Sequence, residues 1–487
     1  MKCEITLLNA KGEAERIISG EIGETLYSAL IKAGVSIQAP CGGQGKCGKC
    51  RVKASGMIAT DPDGTCLCCK TTINGDCTIQ RAEHAAQIQL EGTQRQYKTD
   101  SESGLGVAVD IGTTTVAAYL CKLDSGRVLA SRSMLNPQRS HGADVISRIM
   151  FSNAAAGNAD MLADEIHTAV TCLSKEMLKA AGLENQVIKK LALVGNTTIM
   201  HLTGSYGTLG ISKAPYLPDY TAEHIRDYYG IPAVFGGCIS GYVGADTVAA
   251  MLACGFDETD ETVMLIDIGT NGEIALKRND RIYACSCAAG PAFEGAHIAC
   301  GIGGVSGAID HVKLEDGKIA FSTIGGEKPC GICGSGIVDA VACLLKKEEI
   351  DFKGRMKDKF YICDSVYIAP EDIREIQLAK AAIASSVEIL AESAGINVSD
   401  IDKVYLAGGF GTYISIDSAC DIGLLPQELN GRIVPVGNAA GDGAKMMLLS
   451  QEYRNTAEKL RKNTAYIDLS AQEEFEDIFA EKLLFDD

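Results

Sequence analysis

The sequence lacks the features that mark membrane and exported proteins. Its 487 residues contain no run of about 18 apolar residues, so no membrane-spanning helix is predicted. The amino-terminal stretch has no apolar core of the kind that a secretory signal peptide needs. We therefore expect a cytoplasmic protein without a membrane partner.

The sequence also lacks two catalytic signatures and any excess of basic residues. It contains neither a Gly-x4-Gly-Lys-Ser/Thr phosphate loop nor a Gly-x-Ser-x-Gly nucleophile elbow. The net charge of −18 argues against nucleic acid, which selects for basic surfaces. Residues 1–84 carry ten Lys or Arg and nine Asp or Glu, so nearly all the excess acid lies beyond them. This uneven distribution predicts a separate amino-terminal domain.

Cysteine, by contrast, is abundant. The chain has 20 cysteines, and eight of them lie within the first 77 residues. Without an export signal these are not expected to form disulfides, and most should be reduced thiols or metal ligands.

A short motif occurs twice and organises the larger part of the chain. Residues 107–115 and 264–273 each form an apolar strand pattern that runs into Asp-Ile-Gly-Thr and then a hairpin turn. The glycine allows close approach of the backbone to a ligand, and the Thr or Asn residues offer amides and hydroxyls to phosphate oxygens. A strand-end Asp can hold Mg²⁺ through water. The repeat predicts two similar lobes that close on one nucleotide.

Five short segments of the chain resemble motifs of the actin-like ATPase superfamily of acetate and sugar kinases, heat-shock chaperones and actin, and they occur in the order found in that superfamily. The two Asp-Ile-Gly-Thr turns match its phosphate motifs, and residues 406–411, Leu-Ala-Gly-Gly-Phe-Gly, match its adenosine motif. Residues 193–198 and 437–444 resemble its two connecting segments. The resemblance implies a two-lobed, ribonuclease H-like α/β fold that binds ATP and Mg²⁺.

The resemblance also implies a set of site residues. Catalytic roles in positioning Mg²⁺ or water fall on Asp110, Asp267 and Glu273, although a solvated strand end explains Glu273 equally well. The predicted nucleotide contacts are Gly112, Thr113, Thr114, Thr115, Asn196, Gly269, Thr270, Asn271, Gly272, Gln377, Lys380, Gly408, Gly409 and Asp442. Gln377 and Lys380 lie on a helix predicted over residues 372–393, where a surface salt bridge is the alternative for Lys380. Asn136, Gln138 and Asp144 belong either near the cleft or to a capped helix.

The amino-terminal segment predicts a metal centre. An alternating strand (residues 3–8), a second strand and a helix (residues 25–33) precede a glycine-rich loop with the spacing Cys41-x5-Cys47-x2-Cys50. This arrangement resembles a β-grasp ferredoxin with a 2Fe–2S cluster, with one residue more than the plant-type spacing. The resemblance favours Cys69 as the fourth ligand, with its neighbour Cys68 as the main rival. Cys66 and Cys77 are further candidates, and a zinc site is the alternative.

The predicted domain boundaries follow from these motifs. They are a ferredoxin-type domain at residues 1–84, a linker at 85–104, lobe I at 105–258, lobe II at 259–436, and a connecting helix with an acidic helical tail at 437–487. Two other cysteine pairs, Cys285 with Cys287 and Cys330 with Cys333, are either small buried residues or a second metal site.

The combination of a ferredoxin and an actin-like ATPase resembles the reductive activators of corrinoid proteins. That resemblance implies reduction of cob(II) to cob(I) in a partner corrinoid protein, driven by ATP, with an upstream electron donor and a homodimeric assembly. Larger members carry further linker and middle domains, whereas only about 20 residues separate the two parts here. The alternatives are an ATP-driven electron donor to another enzyme such as a dehydratase, a small-molecule kinase, and a nucleotide-sensing module.

Overall fold

The computed structural model describes residues 2–8, 12–33, 35, 37, 45, 50–80, 96–142 and 144–485. The chain divides into two compact units, one formed by Met1–Ala86 with Pro137–Phe151 and the other by Gln87–Asn136 with Ser152–Asp487. The predicted lobe I includes residues 137–151, which the structure groups with the smaller unit.

The smaller unit is a five-stranded mixed sheet with one packed helix. Its elements are β1 (Lys2–Leu8), β2 (Ala14–Glu21), α1 (Leu26–Lys32), β3 (Arg51–Ile58), β4 (Thr65–Leu67) and β5 (Ile73–Gln80), in the sheet order β2-β1-β5-β3-β4. The second segment of this unit, Pro137–Phe151, contains a 3-10 helix (Pro137–Ser140) and most of α2 (Val145–Ala154). The strand–strand–helix start that the sequence predicts is therefore present.

Local sequence explains the helix and the core of this unit. The Thr25 hydroxyl accepts a hydrogen bond from Ser28 N at 3.2 Å, as an N-cap residue does. Strand β1 alternates exposed and buried positions, which directs Ile5 and Leu7 inward. They pack in one cluster with Leu26 and Leu30 of α1.

The larger unit contains two six-stranded sheets. The first belongs to lobe I and has the order β10-β11-β9-β6-β7-β8. Its elements are β6 (Leu105–Ile111), β7 (Thr115–Lys122), β8 (Val128–Leu135), α3 (Asn158–Ala180), β9 (Ile188–Gly195), α4 (Thr197–Thr203), β10 (His224–Tyr228), β11 (Ile231–Phe235) and α5 (Ala245–Ala253).

The second sheet belongs to lobe II and has the order β21-β20-β12-β13-β14-β22. The lobe comprises β12 (Val263–Ile268), β13 (Gly272–Arg278), β14 (Arg281–Cys287), β15 (Ala308–Glu315), β16 (Lys318–Thr323), β17 (Gly331–Ile332), α6 (Gly334–Lys346), β18 (Phe360–Cys363), β19 (Val366–Ile368), α7 (Pro370–Ser393), β20 (Lys403–Ala407), α8 (Gly408–Gly411), α9 (Ile416–Asp421) and β21 (Ile433–Gly437). Short 3-10 helices cover Ala292–Glu294, Ile324–Gly326, Val398–Asp400 and Gln427–Leu429.

The two sheets share one strand pattern, which places the repeated motif at equivalent positions. In lobe I the antiparallel strands β6, β7 and β8 are followed by β9, which pairs with β6 in parallel. In lobe II the antiparallel strands β12, β13 and β14 are followed by β20, which pairs with β12 in parallel. Asp110 and Asp267 are each the penultimate residue of the first strand, so the repeat is a structural one.

The carboxyl-terminal part contributes to both lobes. It consists of α10 (Ala439–Leu449), α11 (Gln451–Asn463), β22 (Thr464–Tyr466), a 3-10 helix (Leu469–Ala471) and α12 (Phe475–Lys482). Helix α10 packs in the core of lobe I, and α12 packs against α7 of lobe II through Phe475, Ile478 and Phe479. Because these apolar residues recur at helical spacing in an otherwise acidic stretch, the sequence predicts that the tail docks by this stripe, and the structure confirms it.

The described part of the predicted linker is packed against the larger unit. The Asp100 carboxylate accepts hydrogen bonds from Gln451 N at 2.8 Å and from the Ser450 hydroxyl at 3.0 Å. These contacts fix residues 96–104 at the start of α11. Within the parts of the chain that the structure describes, no helix combines the length and apolar character needed to cross a bilayer.

Candidate nucleotide and iron–sulfur sites

The two Asp-Ile-Gly-Thr motifs form tight hairpin turns at the ends of β6 and β12. Gly112 N donates to Thr115 O at 2.8 Å, and Gly269 N donates to Asn271 O at 3.0 Å. A Cβ atom on Gly112 would lie 3.0 Å from Thr115 O, so a side chain there would press against the turn. Thr115 and Gly272 begin the return strands β7 and β13. Both turns have the compact form that the sequence predicts.

The hydroxyl groups of the two turns face each other. Thr114 Oγ1 lies 3.3 Å from Thr270 Oγ1, although the two residues belong to different sheets. Thr113 Oγ1 accepts a hydrogen bond from the Asn196 side chain at 2.9 Å, while Asn196 also caps α4 by accepting from Ile199 N at 2.9 Å. The structure therefore brings together the predicted threonines of both turns and the first connecting segment.

Four carboxylates influence one another beside these turns: Asp110, Asp246, Asp267 and Glu273. Loss of water around the carboxyl raises the pKa of Asp110 to about 7, and the charge of Asp246 adds to this. Loss of water around the carboxyl raises the pKa of Asp267 to about 7, and the charges of Asp246 and Asp110 add to this. Burial raises the pKa of Asp246 to about 6. Burial and the charges of Asp246 and Asp267 raise the pKa of Glu273 well above its usual range. A divalent cation is the natural counterion for such a group.

The carboxylates fit a hydrated cation better than a directly ligated one. Among the residues that the structure describes, no three His, Cys, Asp or Glu side chains converge closely enough to ligate one ion directly. Mg²⁺ keeps much of its water shell in proteins and is often bound through one or two carboxylates with phosphate oxygens. The site therefore suits Mg²⁺ that arrives with a nucleotide.

The raised pKa values predict how stability and Mg²⁺ binding depend on pH. Because the folded protein holds protons on Asp110 and Asp267 up to about pH 7, their stabilising contribution declines as the pH rises from 4 through 7. Mg²⁺ needs the ionised carboxylates, so it should raise the Tm by at least about 3 °C more at pH 8 than at pH 6. Differential scanning fluorimetry measures both effects. Asp110→Asn should flatten the dependence of the Tm on pH that is measured without Mg²⁺. An equal increase in Tm on adding Mg²⁺ at pH 6 and at pH 8 would contradict this account.

Asn438 contacts Asp110, and this contact was not predicted from the sequence. Asn438 Nδ2 donates to Asp110 Oδ2 at 2.9 Å and to the Tyr119 hydroxyl at 3.1 Å, and its Oδ1 accepts from Gly441 N at 2.7 Å. Asn438 thus caps α10 and orients the first-lobe carboxylate at the same time. Its place beside Gly437 at the end of a strand was a signal, but the contact spans 328 positions of sequence.

The predicted adenosine segment forms the short helix α8 after β20. Gly408 has φ +93°, and a Cβ atom there would lie 2.6 Å from Ile268 O and 2.7 Å from Asp267 Oδ1. A Cβ atom on Gly409 would meet nothing within 4 Å. Gly408 therefore lets the backbone cross the end of β12 next to Asp267, and Gly409 faces open space.

The structure places Gln377 and Lys380, the two predicted adenine contacts, beside the carboxyl-terminal segment. Both side chains are buried and hold the carboxyl-terminal segment: Gln377 Nε2 donates to Leu483 O at 2.7 Å, and the Lys380 ammonium donates to Leu484 O. The Lys380 ammonium also lies 5.2 Å from the centre of the Phe485 ring. The α7 face that was expected to line a nucleotide pocket is covered by the protein's own tail.

Asp442, another predicted nucleotide contact, forms a buried ion pair. Its carboxylate is buried and pairs with the Lys445 ammonium at 2.5 Å. That ammonium lies 4.7 Å from the centre of the Tyr119 ring. Since a buried carboxylate needs a cation, Lys445 satisfies Asp442 within α10.

The structure separates the three residues whose roles were open. Asn136 belongs to the first turn, because its Nδ2 donates to Gly112 O at 2.7 Å. Asp144 caps α2 by accepting from Ser147 N at 2.8 Å, which is the alternative that sequence analysis left open. Gln138 is buried within the segment that groups with the smaller unit.

One residue at the turns has no counterpart among the sequence predictions. The Glu294 carboxylate accepts from Thr270 Oγ1 at 3.0 Å and from Thr114 Oγ1 at 3.2 Å. It therefore contacts a hydroxyl of each phosphate turn. Its sequence neighbourhood, Gly-Pro-Ala-Phe-Glu-Gly, stands out only by its small residues, which gave no chemical signal.

The cysteine site is partly described. Cys41 and Cys47 lie outside the described residues. Cys50 Sγ lies 3.1 Å from Cys69 Sγ, and Cys69 N approaches Cys50 Sγ at 3.5 Å. Two ligand sulfurs on one tetrahedral ion, with bonds of about 2.3 Å, lie about 3.7 Å apart, so these two fit one metal centre after a small adjustment. Cys68 is fully buried in the core, whereas Cys69 is half-buried.

Of the remaining cysteine pairs, Cys285 and Cys287 behave as small buried thiols. Cys285 and Cys287 are buried in β14, and burial raises the pKa of Cys287 to about 12, which disfavours the thiolate that a metal needs. Cys330 is exposed, and Cys333 is buried. The alternative of small buried residues suits Cys285 and Cys287.

Comparison with known proteins gives consistent matches along the chain. The family described as the C-terminal domain of RACo, the ASKHA domain, matches residues 261–487, and the RACo middle region matches residues 105–259. The chain is 33% identical over 424 residues to the corrinoid activation enzyme RamQ of Eubacterium limosum. This match covers 78% of the chain and 70% of RamQ. It is 26% identical over 391 residues to the [Co(II) methylated amine-specific corrinoid protein] reductase of Methanosarcina barkeri, with 71% and 70% covered.

A solved structure extends the similarity to the smaller unit. The structure of a reductive activator for a corrinoid, iron–sulfur protein superposes with a TM-score of 0.73 and 26% identity over 99% of this chain and 98% of that chain. The predicted fold class, a ferredoxin-type part followed by an actin-like one, is thereby confirmed. The match to the RACo middle region, residues 105–259, coincides with the predicted lobe I, residues 105–258.

Proposed function

The chain belongs to the family of reductive activators of corrinoid proteins, and from this premise we propose that it uses ATP to drive one-electron reduction of a partner corrinoid protein from cob(II) to cob(I). The observation that carries the proposal is the presence of two sites in one chain. The larger unit holds the facing turns of Thr114 and Thr270, and the smaller holds the Cys50–Cys69 sulfur pair. A nucleotide site and an electron carrier are the two components that such a reaction requires.

The cysteines suit a 2Fe–2S cluster held by Cys41, Cys47, Cys50 and Cys69. Support comes from the closeness of Cys50 and Cys69 and from the spacing of the first three cysteines. When bound, such a cluster supplies one electron at a potential of roughly −400 mV. The backbone amide of Cys69, directed at Cys50 Sγ, would stabilise negative charge on that sulfur.

At the nucleotide, the protein positions groups and compensates charge. The hydroxyls of Thr113, Thr114 and Thr270 would donate hydrogen bonds to phosphate oxygens, together with backbone amides of both turns. Asp110 and Asp267 would hold Mg²⁺, which compensates the phosphate charge, and Asn438 fixes the orientation of Asp110. Phosphoryl transfer depends mainly on such positioning and electrostatic stabilisation.

The reduction is uphill, and the two lobes supply the means to drive it. Cob(II) is harder to reduce than a plant-type cluster, and each 59 mV of deficit costs about a factor of ten in the equilibrium. Because Thr114 and Thr270 lie on different sheets, a nucleotide that binds both turns favours the closed arrangement of the lobes. Closure on ATP would then alter the docked corrinoid protein or drive its release after reduction.

The proposal extends to assembly and partners. We propose a homodimer, a separate upstream electron donor and a corrinoid protein as acceptor, as the family resemblance implies. The strongly acidic larger part of the chain suits recognition of protein partners better than of nucleic acid.

Phosphate release distinguishes this function from a small-molecule kinase. The protein is incubated with Mg-ATP under anaerobic conditions, with and without a cob(II) corrinoid protein. We expect inorganic phosphate as the product, released several-fold faster when the correct partner is present. Transfer of the terminal phosphate to a small acceptor would instead establish a kinase.

A further inference from the structure

We propose that Glu294 is a catalytic residue that orients and deprotonates the water attacking the terminal phosphate of ATP, an inference that rests on the proposed function. Its carboxylate lies 3.0 Å from Thr270 Oγ1 and 3.2 Å from Thr114 Oγ1. It therefore lies at the junction of the two phosphate turns.

The hydroxyl contacts indicate what happens when a nucleotide binds. Each threonine hydroxyl has one proton, so it donates either to Glu294 or to a phosphate oxygen. When Thr114 and Thr270 turn to the phosphate, the carboxylate and the phosphate oxygens remain neighbours of the same hydroxyl oxygens. Two acceptors about 3 Å from one oxygen lie about 5 Å apart, the separation that one bridging water spans. Repulsion between the two anions also favours a water between them.

The backbone around Glu294 holds the carboxylate in this position. Glu294 ends the 3-10 helix Ala292–Glu294, and Gly295 follows with φ +78°. A Cβ atom on Gly295 would lie 2.5 Å from Ile302 O, so this turn is closely packed. Phe293 is buried and stacks on Phe410 of α8, with ring centres 4.7 Å apart. The segment that carries Glu294 is thus anchored to the predicted adenosine segment.

The other acidic groups of the cleft are suited to a different role. Asp110 accepts a hydrogen bond from Asn438, and Asp246 accepts one from Thr247 N at 2.8 Å. These two, with Asp267 and Glu273, repel one another and are best compensated by the cation that accompanies the phosphates. Glu294 contacts the turn hydroxyls instead, where the terminal phosphate is expected.

The step is balanced without any further reactant. The water oxygen forms a bond to the terminal phosphorus, and the bond from that phosphorus to the bridging oxygen of ADP breaks. The water proton passes to a Glu294 carboxylate oxygen and then to solvent, while ADP and inorganic phosphate leave. A positioned general base of this kind contributes roughly 100- to 10,000-fold to rate.

The test compares Glu294→Gln with the wild-type protein in the full chain. Basal phosphate release is measured without a partner, and the Kd of a non-hydrolysable ATP analogue is measured by calorimetry. We expect kcat to fall at least about 100-fold while the Kd of the analogue changes by less than about threefold. Glu294→Asp keeps the carboxylate and should recover part of the rate. Glu388→Gln removes a charge on the outer face of lobe II, paired with Lys482, and should leave both quantities unchanged.

Two results would overturn the assignment. If Glu294→Gln hydrolyses ATP within about threefold of the wild-type rate, Glu294 is not the base. If the affinity for the analogue falls as much as kcat, Glu294 supports the binding site and takes no part in hydrolysis. Failure of the proposed function is seen separately, because it appears as wild-type protein that hydrolyses ATP but forms no cob(I).

Discussion

Replacing Cys69 with serine is expected to abolish stable loading of the iron–sulfur cluster. Cys69 is the described candidate whose sulfur lies 3.1 Å from Cys50 Sγ, so its loss removes one of the four thiolates on which a Cys-ligated 2Fe–2S cluster depends. After anaerobic reconstitution, the visible absorbance and the iron content per chain should fall to less than about one tenth of the wild-type values. The same protein should retain its affinity for nucleotide, since that site belongs to the other unit.

Cys68→Ser is the matched control. Cys68 is adjacent in sequence but fully buried in the apolar core of the smaller unit. Its replacement should lower the stability of that unit and leave the visible spectrum of the loaded cluster intact. If Cys68→Ser loses the cluster and Cys69→Ser keeps it, Cys68 is the fourth ligand and the assignment is wrong.

Gly408→Ala is expected to weaken ATP binding by at least about tenfold and to lower the Tm by several degrees. The added Cβ would lie 2.6 Å from Ile268 O and 2.7 Å from Asp267 Oδ1, at a backbone φ of +93°. The left-handed conformation alone costs a non-glycine residue about 1–2 kcal/mol. Relief of the clash must also move Asp267 or the end of β12, which disturbs the second phosphate turn. Calorimetry with an ATP analogue and thermal unfolding measure the two effects.

The neighbouring glycine supplies the control for stability. A Cβ atom on Gly409 meets nothing within 4 Å, so Gly409→Ala should leave the Tm unchanged and affect only adenosine binding. If the two variants have the same Tm and the same affinity for the analogue, the close approach at Gly408 has no functional consequence.

Sequence patterns predicted what depends on neighbouring residues. The Asp-Ile-Gly-Thr turns, the helix α1 and the apolar stripe of α12 each follow from a few consecutive residues, and the structure has all three. The long helix over residues 372–393 was also predicted, and α7 covers Pro370–Ser393.

What covers a buried face does not follow from such patterns. The α7 side chains Gln377 and Lys380 were assigned to adenine because of the family resemblance, but residues 483–485 cover them. Glu294 and Asn438 were missed for a related reason. Each acts through contacts with residues far away in sequence, and neither carries a distinctive local motif.

In the proposed function, the larger unit binds the nucleotide and the smaller unit carries the electron. Contacts from both lobes meet at Thr114, Thr270 and Glu294, so a phosphate bound there would replace a hydrogen-bonded junction within the larger unit. This exchange would give ATP a direct influence on lobe closure. Its coupling to the corrinoid partner is the central claim.

Absorbance spectroscopy on the complete system tests that claim most directly. Reduced, cluster-loaded protein is mixed anaerobically with a cob(II) corrinoid protein, and spectra are recorded before and after addition of Mg-ATP. The account predicts a cob(I) band that appears only after Mg-ATP and is absent with Cys50→Ala. Equal cob(I) formation without ATP, or no cob(I) with several corrinoid proteins despite an intact cluster and measurable ATP turnover, would contradict it.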